Sequence, residues 1–236
     1  MGDQACRATV LAPLIAEAAA RMATTRIALI DLGRPAGLNL VVDRARVLYS
    51  PGPQLGPVDS TVCAEARVVR GAAPPAAEVP RVVERLLLAR SPLSVDQRDV
   101  LRRASPPELR DEVDRQLDML ISLPVHRVAG DPVANLPAAI ASVRADVTPM
   151  VMTTWTVARL SRPRRAELLS AVTGAGRPVA WVSAEGVGVA PSIPTYGDRP
   201  ASGHSILGIL TTGEDSTTAT AVGRCWSRGA ILSWLG

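Results

Sequence analysis

The chain has 236 residues, 47% of them hydrophobic and 20% charged, which supplies enough apolar material for one packed domain and excludes a disordered chain or a coiled coil. All 26 basic residues are Arg, scattered and alternating with acids to leave a net charge of +4, and aromatic residues make up only 3% with no Phe. That pattern reads as solvated helix faces and not as a nucleic-acid surface.

No apolar run reaches bilayer length, and the first ten residues lack a basic start ahead of an apolar core. Neither a membrane span nor a secretory signal is therefore expected, and the expected setting is cytoplasmic. Cys6, Cys63 and Cys225 are far apart with no CxxC spacing, and the two histidines, His126 and His204, lie outside any ligand pattern. A metal site and a disulfide framework are both unexpected.

In chain order, residues 5–23 place Val10, Leu11, Leu14, Ile15, Ala18 and Met22 on one helical stripe. Residues 26–33 (RIALIDLG) form a short apolar run closed by glycine, the pattern of a central parallel strand covered on both faces. Helical spacing resumes over 33–48. Residues 61–71 read as a strand and lead into a Pro-rich loop. Helices are predicted over 79–90 and 94–123, the second interrupted by the Ser-Pro-Pro at 105–107.

The remainder alternates: strand 125–131, helix 132–145, strand 149–155, helix 163–176 and strand 178–186. Residues 204–212 and 218–234 then read as an antiparallel pair across a short polar turn. The expected architecture is α/β, a single Rossmann-like domain over 1–236. It has an open sheet of about seven mostly parallel strands, helices on both faces and a C-terminal antiparallel hairpin.

The segment from Ile27 to Asn39 carries the most chemical information. A strand ends on Asp31, turns at Gly33 and enters a helical pattern beside Gly37, so a ligand can approach bare backbone there. Pro35 takes the place of the middle glycine of a pyrophosphate loop and has no N–H to donate. With Asp31 alongside, a cationic group suits the turn better than a phosphate; a tight strand–helix turn with no ligand is an equally good account.

The stretch ALIDLGRPAGLNLVVDRARVLY resembles the glycine-rich first motif of an uncharacterised bacterial family with a class I S-adenosylmethionine methyltransferase-like Rossmann fold. The similarity continues through TVCAEARVVRG, VAGDPVANLP and PVAWVSAEGVGVAPSIP to the Trp-Leu ending, with the helical segment before the motif shortened. The resemblance implies S-adenosylmethionine as cofactor, with Asp31, Gly33 and Gly37 at its amino-acid and ribose end and Asp131 near its adenine. Asp131 also reads as a helix N-cap ahead of Pro132.

Thr153 and Trp155 would then shape the acceptor side, and Glu185 would be the candidate base. Trp155 is equally a cap on the core, and Glu185 equally an ion-pair partner for one of many arginines. The family's histidine after the fourth strand is replaced by Met152-Thr153-Thr154-Trp155.

The implied activity is that of an S-adenosylmethionine-binding enzyme acting on a small organic molecule, most simply a methyltransferase. Two alternatives stand beside it. One is a scaffold that has lost methyl transfer and works as a cyclase or other small-molecule biosynthetic enzyme. The other is a noncatalytic partner subunit, or homodimer, that docks through the exposed face of the first helix.

Overall fold

A computed structural model describes residues 7–94, 97–213 and 216–235; Cys6 and the tip of the polar turn lie outside them. Helix α1 (Ala8–Arg21) opens the described chain and delivers it to β1 (Arg26–Leu32). A 3₁₀ segment (Leu38–Arg44), β2 (Arg46–Ser50), β3 (Gln54–Leu55) and β4 (Cys63–Val68) follow, then β5 (Arg81–Ala89). Next come α2 (Arg98–Ala104), α3 (Arg110–Ile121), β6 (His126–Ala129), α4 (Leu136–Ser142), β7 (Thr148–Thr154), α5 (Arg162–Thr173) and β8 (Val179–Gly186). The chain ends on β9 (Ser205–Thr212), β10 (Thr217–Trp226) and β11 (Ile231–Trp234).

These strands form one sheet in the order β3-β2-β4-β11-β10-β9-β8-β7-β1-β5-β6. After β1 the chain builds β2, β3 and β4 at the far edge, returns to β5 beside β1 and goes on to β6, then crosses back to β7 on the other side of β1 and continues to β8; the β1, β5, β6, β7 and β8 pairings are all parallel. The order reverses between β1 and β7, and open α/β sheets bind ligands outside the carboxyl ends of their strands at such a switch point. The strands β9 and β10 add the antiparallel hairpin predicted from the sequence.

Among the described residues the sheet has eleven strands and not about seven. Residues 81–89, predicted helical, form β5 between β1 and β6. Leu86, Leu87, Leu88 and Ala89 are all buried, which a surface helix with one solvated face does not permit. Likewise 33–48 becomes the 3₁₀ segment and then β2. The short β3 was not predicted, and the tail resolves into two strands, β10 and β11, joined by a turn at Ser227–Gly229. The break at Ser105–Pro107 occurs where predicted, between α2 and α3.

Strand alternation sends Ile27, Leu29, Leu87, Met150 and Ala180 to a core beneath α1, the 3₁₀ segment and α3. Ile30, Leu86, Val151 and Trp181 go to a second core beneath α4 and α5. Eleven of the fourteen residues of α1 are buried, so the exposed apolar face expected of this helix is absent.

Pro13 lies inside α1 and has no N–H to offer the Thr9 carbonyl one turn back. The Tyr49 hydroxyl donates to that carbonyl instead, at 2.8 Å. Tyr49→Phe should therefore leave a buried carbonyl unsatisfied and cost about 1–3 kcal/mol in urea unfolding. An unchanged midpoint would mean that the carbonyl finds another donor.

Candidate functional site at the strand carboxyl ends

Asp31 is the next-to-last residue of β1, and its side chain is fully buried, 0% exposed. Its register partner on β7, Met152, points into the core under α1, so Asp31 faces the α1 side of the sheet. Asn39 reaches down from the 3₁₀ segment; its Nδ2 donates to Asp31 Oδ1 at 3.0 Å and to Thr154 Oγ1 at 3.3 Å. Asp31 Oδ2 is buried and accepts no hydrogen bond among the described residues. Burial pushes the carboxyl up to about 6, against the Asn39 hydrogen bond and the charges of Arg34 and Arg7.

The glycine turn is closed by the chain itself. Gly33 has φ +88°, and a Cβ built there would collide with the methyl of Thr156. At Gly37, φ +70°, a Cβ would lie 3.2 Å from Leu87 and 3.3 Å from Leu40. Both positions require glycine, for a left-handed backbone and close packing. Beside this turn lies a crevice of about 160 Å³, walled by Arg34, Leu38 and Asn39 on one side and by Leu101, Ala104 and Val113 on the other. Asn39 thus stands between the crevice and Asp31.

Trp155 directly follows β7 at φ +51°, a left-handed conformation that bulky residues rarely adopt. Its N–H donates to the Ala184 carbonyl at 2.9 Å, and its indole N–H donates to Ser205 Oγ at 2.8 Å. The Arg7 guanidinium lies over the ring 4.5 Å from its centre, and Arg228 lies at 5.5 Å.

Glu185 holds this turn. Its Oε1 accepts the N–H groups of Thr156 at 3.0 Å and Val157 at 3.1 Å. Burial raises its carboxyl, against the backbone N–H groups of Val157, Thr156 and Ala158 and the Thr153 hydroxyl. Thr153 accepts the Trp181 indole N–H at 3.0 Å. Glu185 thus fixes the backbone that immediately follows Trp155.

The sheet separates the residues that the sequence suggested as one site. Asp31 and Thr154 share the α1 side. Thr153 and Glu185 alternate onto the α4–α5 side with Trp181. Asp131 caps the turn into α4, accepting from Val133 N at 2.9 Å and Ala134 N at 3.0 Å, and it pairs with Arg164 of α5. The N–H of Ala134, ahead of that of Val133 and the Arg164 charge, lowers its carboxyl against a smaller desolvation effect.

His204 Nε2 meets Asp198 at 2.9 Å, and Asp198 is clamped by Arg224 at 2.6 Å, which ties the loop before β9 to β10. Asn39, Thr156 and Arg7 had no role in the sequence reading, although a lone amide in an apolar run (GLNLVV) is a signal that could have found Asn39. Among the described residues no group of three metal-ligating side chains forms, and no helix is long and apolar enough to cross a membrane.

S-adenosylmethionine does not fit these residues as they are arranged. The carboxylate meant for its ammonium is closed off by Asn39 and the backbone meant for its nucleoside is covered by Thr156. Asp131 is engaged elsewhere, and the crevice is well below the roughly 300 Å³ at which pockets for drug-sized ligands begin.

A family model described as "Uncharacterized protein conserved in bacteria (DUF2332)" matches residues 2–234. No curated protein matches, and no solved structure does.

Proposed function

We propose that this chain, which belongs to the DUF2332 family of uncharacterised bacterial proteins, is a small-molecule enzyme built on a methyltransferase-like Rossmann scaffold. Its site is the crevice beside the β1 turn. One observation carries the reading: at the switch point of the sheet, a crevice wall residue, Asn39, is hydrogen-bonded straight to a buried carboxylate held above its ordinary range.

The size of the crevice and its mostly apolar lining suit a compact organic molecule. Methyl transfer from S-adenosylmethionine would be the simplest activity on such a scaffold, but the closed turn speaks against it. A biosynthetic conversion with no nucleoside cofactor, such as a cyclisation, agrees better with the geometry. A partner-subunit role loses support because α1 has no open apolar face.

The test is incubation of the purified protein with a bacterial small-metabolite extract, followed by mass spectrometry. Depletion of a low-mass metabolite is expected, and Ala104→Trp, which fills the crevice from an exposed position, should abolish it without moving the melting temperature. No depletion by the wild type, or full depletion by Ala104→Trp, would overturn the proposal.

A further inference from the structure

We infer that Asn39 is a built-in substitute for a ligand ammonium at Asp31, so that this chain folds into its closed form without S-adenosylmethionine. The inference rests on reading the scaffold as methyltransferase-like, and it concerns the β1 turn rather than the molecule converted in the crevice.

Two independent contacts support it. First, Asn39 Nδ2 donates to acceptors on two strands, Asp31 Oδ1 on β1 and Thr154 Oγ1 on β7. A single donor group thus spans the switch point where a bound ammonium would sit. Asn39 is itself 4% exposed, so this bond is formed away from water, where breaking it leaves a bare carboxylate. Second, Thr156 lies over Gly33, and Glu185 fixes the N–H of Thr156 from the neighbouring strand, so the cover is anchored and not a loose side chain.

A neutral amide is a weaker partner for a carboxylate than an ammonium. Asp31 Oδ2 is accordingly left without a hydrogen bond. Removing the amide should expose a site for a small primary ammonium ion.

The experiment has two arms. Calorimetry of wild-type protein with S-adenosylmethionine and S-adenosylhomocysteine at millimolar concentration should give no saturable heat. Saturable binding that is lost in Asp31→Ala would overturn the inference. In the second arm, Asn39→Ala should melt several degrees below wild type. Methylammonium chloride should recover part of that loss, with no such gain for wild type and none from sodium chloride at equal ionic strength.

A variant as stable as wild type, or one indifferent to methylammonium, would equally overturn the inference. If Asn39→Ala does not fold, the calorimetric arm still decides. Cofactor binding by wild type would sink this inference while leaving a small-molecule activity standing, whereas an inert extract assay would sink that activity and leave this inference untouched.

Discussion

Asp31→Asn is expected to flatten the pH dependence of stability, with the gap between variant and wild type shifting by about 3 kcal/mol in the variant's favour from acid to mildly alkaline pH. The size follows from a carboxyl raised from 3.8 to about 6 on folding. The folded state holds this proton more tightly than the unfolded chain. Its contribution is therefore complete below about pH 4 and is lost as pH rises through about 6.

Glu185 is raised as well and acts in the same direction, so the variant should retain a shallower slope of the same sign. Asn is nearly isosteric with Asp, and its side-chain oxygen still accepts from Asn39, so the packing under the 3₁₀ segment is preserved. Urea denaturation of both proteins across that range checks the expectation. Parallel pH profiles would mean that Asp31 is solvated in the folded state.

The second large effect is at Arg85, 5% exposed, on the α1 face of β5. Its Nε donates to the Leu40 carbonyl at 2.9 Å and its guanidinium pairs with Asp43 at 2.5 Å, which staples the 3₁₀ segment to the sheet. Arg85→Ala should cost about 3–5 kcal/mol, because it strands a largely buried carboxylate and a carbonyl together. Arg85→Met keeps the apolar stem against the core and should lose less. A loss under about 1 kcal/mol for the alanine variant would show that Arg44, 3.3 Å from Asp43, takes over the pair.

The central parallel strands were legible because RIALIDLG and PVAWVSAEG are short apolar runs closed by glycine or an acid, a pattern that needs cover on both faces. RVVERLLLA has the same character at its second half. Its Val and Leu spacing also satisfies a helical stripe, and only burial of four consecutive residues between β1 and β6 decides for a strand. The β2–β3–β4 edge was obscured for another reason: it joins the sheet through β11, a pairing between distant parts of the chain that no local pattern encodes.

The candidate site was legible in position but not in grouping. Asp31, Thr153, Trp155 and Glu185 all lie at the carboxyl ends of strands, as the alternation of elements implied. Which face of the sheet each one takes depends on the register from β1 through β7 to β8, and that register put Asp31 and Glu185 on opposite sides. Asn39 does not stand out in the sequence, because an amide inside GLNLVV looks like one more residue of a helical run. Its significance appears only when the 3₁₀ segment folds back over β1. Pro13 was visible from the start, and the carbonyl it frees could have been anticipated, though not its donor, Tyr49.

The most direct probe of the closed turn is the titration of the Asp31 side-chain carboxyl carbon by NMR in labelled protein. A midpoint near 6 is the expected result, since burial holds this carboxyl above the ordinary aspartate range. A midpoint near 4, the ordinary aspartate value, would place that carboxylate in water and contradict the account.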